Sequence, residues 1–189
     1  KGIILHQDFP KDFELSEADT RKLCLNVIDK LVDLHNVDAK ATGLDKLGKG
    51  AGYVQRQIGG WSDRFRKAKT DDVGDFETVM GWLNDKMPDD VAQVVIHNDY
   101  PFEVIGVLDW EMATIGDPLM DLGNSLAYWI EADDEGPFQM LRRQPTHQPG
   151  MLTRKEVVAY YAEKSSRKID NFDFYEIYGL FRLAVIVQQ

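Results

Sequence analysis

Apolar residues recur with a period near 3.6 along most of the chain. Cys24, Val27, Ile28, Leu31 and Leu34 lie on one face of a predicted amphipathic helix. It starts at the capping signal Ser16-Glu17-Ala18-Asp19 and breaks at His35-Asn36-Val37-Asp38. Tyr53, Val54, Ile58, Trp61 and Phe65 predict a second helix, and Phe76, Val79, Met80 and Leu83 a third that stops before Pro88. Asp117 is a natural N-cap with Pro118 at the first helical position, which predicts a helix through about Ile130. Its apolar face carries Leu119, Leu122, Leu126 and Trp129; Asp121 falls near that face and needs a partner if buried. Glu131 to Glu135 and the Pro-rich stretch Gln144 to Pro149 read as loop. Thr153 and Glu156 stand at capping-box spacing before another helix, and the last helix runs from about Asp173 into Gln189 with no stop signal.

Two stretches depart from the helical period. Val94-Val95-Ile96 ends in His97-Asn98-Asp99, and Val104-Ile105-Gly106-Val107-Leu108 ends in Asp109. Both read as short buried strands that deliver polar side chains to a loop. One acid at a strand end is an ordinary turn former. Two so close in sequence point further: if the strands are neighbours, both carboxylates face one pocket, where like charges repel unless a cation or a shared proton intervenes. That suits a metal site or acid/base chemistry.

Composition narrows the picture. At 189 residues and 43% hydrophobic, the chain can bury one substantial core, so residues 1–189 are expected to form a single unit. A formal charge of -10, with no basic stripe, argues against a nucleic-acid partner. Cys24 is the single cysteine, which excludes an internal disulfide and fits a small core residue in a reducing compartment. No apolar run reaches the roughly 18 residues of a membrane span. The expectation is a soluble, cytoplasmic protein with no membrane partner. The glycines of Gly48-Lys49-Gly50-Ala51-Gly52 do not read as a phosphate loop, because no strand precedes them and no Gly-Lys-Ser/Thr ends them.

Taken in order, His97-Asn98-Asp99, Leu108-Asp109-Trp110-Glu111 and Gly116-Asp117-Pro118-Leu119-Met120-Asp121-Leu122 resemble the successive signatures of the aminoglycoside phosphotransferase and choline kinase family. The closer resemblance is to its branch found as the kinase-like portion of some acyl-CoA dehydrogenases. Leu34 to Asp38, Tyr53 to Trp61 and Gln144 to His147 are also similar to that branch, so the likeness covers nearly the whole chain. It implies an α+β, protein-kinase-like fold, here mainly the helical large lobe, with a short β-hairpin carrying the catalytic loop. It also implies a phosphotransferase that moves the γ-phosphate of ATP to a hydroxyl of a small molecule, with Mg2+. Asp99 matches the catalytic-loop Asp that accepts or orients the proton of the attacking hydroxyl. His97 would hold that loop in place. Asp109 matches the Asp that binds Mg2+ beneath the nucleotide phosphates, and Asp121 a buried helix Asp that braces the catalytic loop through backbone N–H groups.

Three departures from the family pattern follow. The small lobe that clamps the nucleotide is not in the chain, which opens at Lys1-Gly2-Ile3-Ile4-Leu5, a stretch resembling the hinge or the strand beyond it. The family places an Asn, a second Mg2+ ligand, five residues after the catalytic Asp, where this chain has Val104; Asn98 precedes the Asp and points elsewhere. Finally, the ten positions from Asp99 to Asp109 are too few for a loop, a ligand Asn and a hairpin of two strands of about five residues each. The expectation is that roughly ten residues containing the Asn are missing between Tyr100 and Pro101. Three functional readings compete: a small-molecule kinase, a catalytically inactive kinase-like binding module, and a two-carboxylate metal hydrolase that would need further His or Asp ligands nearby. The cluster Glu131, Asp133, Asp134 and Glu135 reads either as a solvated loop or as a field that steers a cationic acceptor. The implied acceptor ranges from an aminoglycoside or choline-like cation to a hydroxyacyl thioester.

Overall fold

Helix α1 spans Glu17–His35 and is opened by Ser16, whose side chain accepts from the Asp19 N–H at 3.1 Å. Its apolar stripe, Cys24, Val27, Ile28 and Leu31, is buried. The computed structural model describes residues 5, 7–10, 13–100 and 109–189. The expected strand Val104 to Leu108, the expected break between Tyr100 and Pro101 and the stretch Lys1 to Ile4 lie outside the described residues.

Helix α2, Tyr53–Ala68, has no cap in its own sequence, because its N-cap is Gly52 in a left-handed conformation. The cap comes from a distant residue. Asp90 receives the Gly52, Tyr53 and Val54 N–H groups at 2.6, 3.0 and 2.9 Å, satisfying donors that a helix start otherwise leaves open. Helix α3, Glu77–Asp85, starts one residue after Phe76, which adopts φ 50° and stacks on Phe65 with ring centroids 4.8 Å apart.

The sheet is a two-stranded antiparallel pair. Strand β1, Val94–Ile96, pairs with β2, Thr114–Gly116, in the register Val94 to Gly116 and Ile96 to Thr114. The expected strand β1 is present; its partner β2 is not evident from the sequence, since three residues ending in Gly carry no usable alternation. Gly116 is required there by packing, because a Cβ would collide with Ile96 and the Tyr53 ring.

Helix α4, Pro118–Leu126, is shorter than the predicted run to Ile130. After Leu126 the Tyr128 and Trp129 N–H groups bond three residues back, to Ser125 and Leu126, so the chain tightens into turns. Trp129 is nevertheless buried as expected, its indole N–H donating to the Leu152 carbonyl at 2.9 Å. A five-residue helix α5, Gly136–Met140, lies between the two stretches read as loop. Helix α6, Arg154–Ser165, begins with the full Thr153/Glu156 capping box, and α7 covers Asp173–Gln188. α4 and α7 cross closely because glycines meet: a Cβ on Gly123 would enter the Tyr175 carbonyl, and one on Gly179 the Gly123 carbonyl.

The acidic turn is partly structural: Asp133 and Glu135 are exposed, whereas Glu131 and Asp134 are engaged. Asp134 makes two bonds to the Arg154 guanidinium, at 2.6 and 2.7 Å, and Glu131 lies 3.4 Å from it. Among the described residues no helix is long and apolar enough to cross a membrane.

Asp90→Ala is expected to destabilise the protein by about 1–2 kcal/mol, because three α2 donors lose their acceptor. Urea unfolding followed by circular dichroism measures this; an unchanged midpoint would show that water replaces Asp90 without cost.

Candidate active site

The register of the sheet brings the two acids together. Ile96, at the end of β1, is paired with Thr114, at the start of β2. Asp99 leaves that end three residues after Ile96, and Asp109 arrives at it five residues before Thr114. Both are exposed and line one cavity of about 240 Å³. Asn98 and Asp109 have left-handed backbones, φ 68° and 57°, conformations that Asn and Asp tolerate better than other side chains do.

Behind Asp99 the loop is held from several directions. Asp121, fully buried on α4, receives the His97 N–H at 2.8 Å and the Asn98 N–H at 2.7 Å. Its Oδ2 also lies 3.1 Å from His35 Nε2, at the end of α1. An ionised carboxylate only accepts, so Nε2 carries a proton; His35 Nδ1 in turn lies 2.6 Å from the Tyr161 hydroxyl on α6. Burial alone would raise the Asp121 pKa. The His35 hydrogen bond and charge, with the two backbone N–H groups, outweigh burial and hold the carboxyl below its ordinary range.

The Asn98 side chain is occupied. Its Oδ1 accepts from the Tyr53 hydroxyl at 2.9 Å and its Nδ2 donates to the Met112 carbonyl at 3.2 Å. The Asn98 carbonyl accepts from Arg182 of α7 at 2.9 Å. His97 is fully buried, its ring edge-on to Tyr100 and Trp110 at 5.8 and 5.2 Å. Tyr100 donates to the Val27 carbonyl of α1 at 2.9 Å.

Of the remaining cavity lining, Gln144 lies in a stretch that carries the family resemblance, and the other residues have no motif in the sequence that points to them. Asn124, Ser125 and Tyr128 come from α4 and the turn after it, Arg143 from the loop beyond α5, and Arg182 from α7. Burial raises the Tyr128 pKa, the Arg182 charge lowers it and the Asp99 charge raises it. One signal was available: Arg182 is the single charge between Tyr178 and Val187. Cys24 takes no part, being buried in α1 with its thiol pushed up to about 11 by burial.

The donor set fits a hard cation, since two exposed carboxylates offer oxygen ligands in one cavity. Among the described residues no group of three or more His, Cys, Asp or Glu is arranged to hold a metal, so the further ligands that a two-carboxylate hydrolase needs are not found there.

The profile of the Phosphotransferase enzyme family matches residues 4–157. Acyl-CoA dehydrogenase family member 10 of Mus musculus is 31% identical over 202 residues, which cover 99% of this chain and 18% of that protein. Acyl-CoA dehydrogenase family member 11 of Homo sapiens is 27% identical over 192 residues, 92% of this chain and 24% of that protein. The chain thus spans a quarter or less of the length of these relatives. The crystal structure of an aminoglycoside phosphotransferase candidate from Ralstonia eutropha superposes with a TM-score of 0.81 at 26% identity, covering 99% of this chain and 59% of that one. The helices and two-stranded sheet therefore form the protein-kinase-like aminoglycoside phosphotransferase fold.

Asp121→Asn leaves at least one buried N–H without its acceptor and is expected to cost about 2–3 kcal/mol at neutral pH. Because the folded pKa of Asp121 is depressed, its stabilisation is full above the unfolded value near 3.8 and is lost as pH falls through the folded one. The stability gap between wild type and variant should therefore narrow as pH drops below about 4. Denaturant titrations at stepped pH measure the gap, and a constant gap would count against an ionised Asp121.

Proposed function

The chain belongs to the phosphotransferase enzyme family, and from that premise we propose that the intact protein transfers the γ-phosphate of ATP to a hydroxyl of a small molecule. The observation that carries this reading is the cavity shared by Asp99 and Asp109, fed from the two paired ends of β1 and β2. Asp99, exposed at the tip of a loop held by Asp121 and Arg182, accepts the proton of the acceptor hydroxyl. The hydroxyl oxygen forms its bond to the γ-phosphorus as the bond to the ADP oxygen breaks. Such a transfer asks the protein mainly for positioning and for neutralisation of phosphate charge, and the two carboxylates serve it by orienting the hydroxyl and by offering oxygen ligands to a cation. His97 positions the loop, and Asp121 supports it from α4. Asp109 would hold Mg2+, which when bound neutralises charge on the nucleotide phosphates.

A second reading, a kinase-like module that binds without catalysing, is favoured by two observations: Val104 stands where the family pattern has its second metal-binding Asn, and the Asn98 side chain is committed to Tyr53 and Met112.

In the full-length protein Asp99→Asn should lower kcat by about two to four orders of magnitude and leave ATP affinity nearly unchanged, whereas Asp109→Ala should weaken Mg2+-dependent ATP binding. Steady-state kinetics with calorimetric nucleotide titration separates the two. Equal affinity losses would contradict separate roles, and wild-type binding of ATP without transfer to any hydroxyl compound would favour the inactive module.

A further inference from the structure

The cavity is not purely acidic. Arg182 lines it beside Asp99 and Asp109, yet is only 6% exposed. Among the described residues it makes no ion pair. One N–H donates to the Asn98 carbonyl, the guanidinium lies 5.2 Å from the centre of the Trp61 ring, and among the described residues it makes no other hydrogen bond. A cation withdrawn from water needs an anion or a full set of acceptors. The chain has 32 acidic residues to 22 basic ones, yet among the described residues no carboxylate pairs with this guanidinium. Arg154, only half-buried, meets both Asp134 and Glu131. Arg143, an exposed second cation without an ion pair among the described residues, lines the same cavity, as does Tyr128.

We propose that Arg182, with Arg143, seats an oxyanion of the acceptor molecule, so that the acceptor is a hydroxyl compound bearing a carboxylate or phosphate group. This rests on the phosphotransfer reading of the cavity and names the substrate class within it. A guanidinium presents paired N–H groups that match a carboxylate or phosphate edge, and burial strengthens the attraction. A cationic acceptor would gain from Asp99 but would have to sit beside two guanidinium groups. At about 240 Å³ the cavity is smaller than the roughly 300–1,000 Å³ of common ligand pockets, so it takes a small acceptor or the end of a larger one. The nucleotide γ-phosphate carries the same chemistry, and the test has to separate the two sources.

Calorimetric titration of the full-length protein with glycerol 3-phosphate, glycerol and choline, each with and without a non-hydrolysable ATP analogue, does so. Glycerol 3-phosphate is expected to bind at least about tenfold more tightly than the other two, with or without the analogue. Arg182→Lys should weaken that binding by about tenfold, since the charge remains but the paired donors are lost. Arg143→Gln, at an exposed site that does not touch the fold's core, should weaken it severalfold with an unchanged Tm. Equal affinity for the three compounds, or tighter choline binding, overturns the proposal. Displacement of glycerol 3-phosphate by the analogue also overturns it, assigning the arginines to the nucleotide. If Arg182→Lys does not fold, Arg143→Gln decides, and unchanged affinity in that variant is fatal. Anion binding with no ATP consumed on any acceptor upholds the seat while overturning the phosphotransfer reading.

Discussion

The architecture around the cavity depends on one buried carboxylate. Removing Asp121 from water costs several kcal/mol. Three hydrogen bonds, from His97 N, Asn98 N and His35 Nε2, each of the charged kind worth about 1.5–3 kcal/mol, are of the size needed to offset that cost. The balance holds only if α4, the end of α1 and the turn after β1 keep fixed relative positions, because α4 supplies the acceptor and the other two supply the donors. A single side chain thereby couples two helices, α1 and α4, to the loop that carries Asp99.

Arg182 completes the arrangement with the opposite charge. Asp121 takes the N–H groups of His97 and Asn98, and Arg182 takes the carbonyl of Asn98, so the turn is held by an anion on one side of the peptide chain and a cation on the other. The glycine crossing of α4 and α7 makes this possible: only with the backbones of Gly123 and Gly179 in close approach do Asp121 and Arg182 reach the same turn. The left-handed Asn98 is tolerated within that frame, its side chain tied to Tyr53 and Met112.

The electrostatics divide the charged residues into two populations. Glu131 and Asp134 are consumed by Arg154 and stabilise the start of α6, so the acidic turn contributes structure where composition alone allowed a steering field. Around the cavity Asp99, Asp109, Arg143 and Arg182 form no ion pairs among the described residues, although both signs are present. Charges that stay apart in a shared cavity are available to a ligand, and this mixture distinguishes the candidate site from the rest of an acidic surface.

The sequence by itself determined the elements with strong local signals. The 3.6-residue stripes of α1, α2 and α3, the Ser16 cap, the Asp117-Pro118 start and the Thr153/Glu156 box all depend on neighbours within a few residues, and all are formed. The strand ending in His97-Asn98-Asp99, the need of Asp121 for a partner and the family were readable for the same reason, since each motif is contiguous. Where determinants lie far apart in the chain, only tertiary structure decided. Asp90 caps a helix 36 to 38 residues earlier, β2 is a strand because β1 lies beside it, and α4 ends early where the chain tightens into turns ahead of Trp129, whose indole bonds to Leu152. Arg182 reaches Asn98 across 84 positions. No local pattern encodes such a contact, because it exists only once burial has brought the two helices and the loop into one cavity.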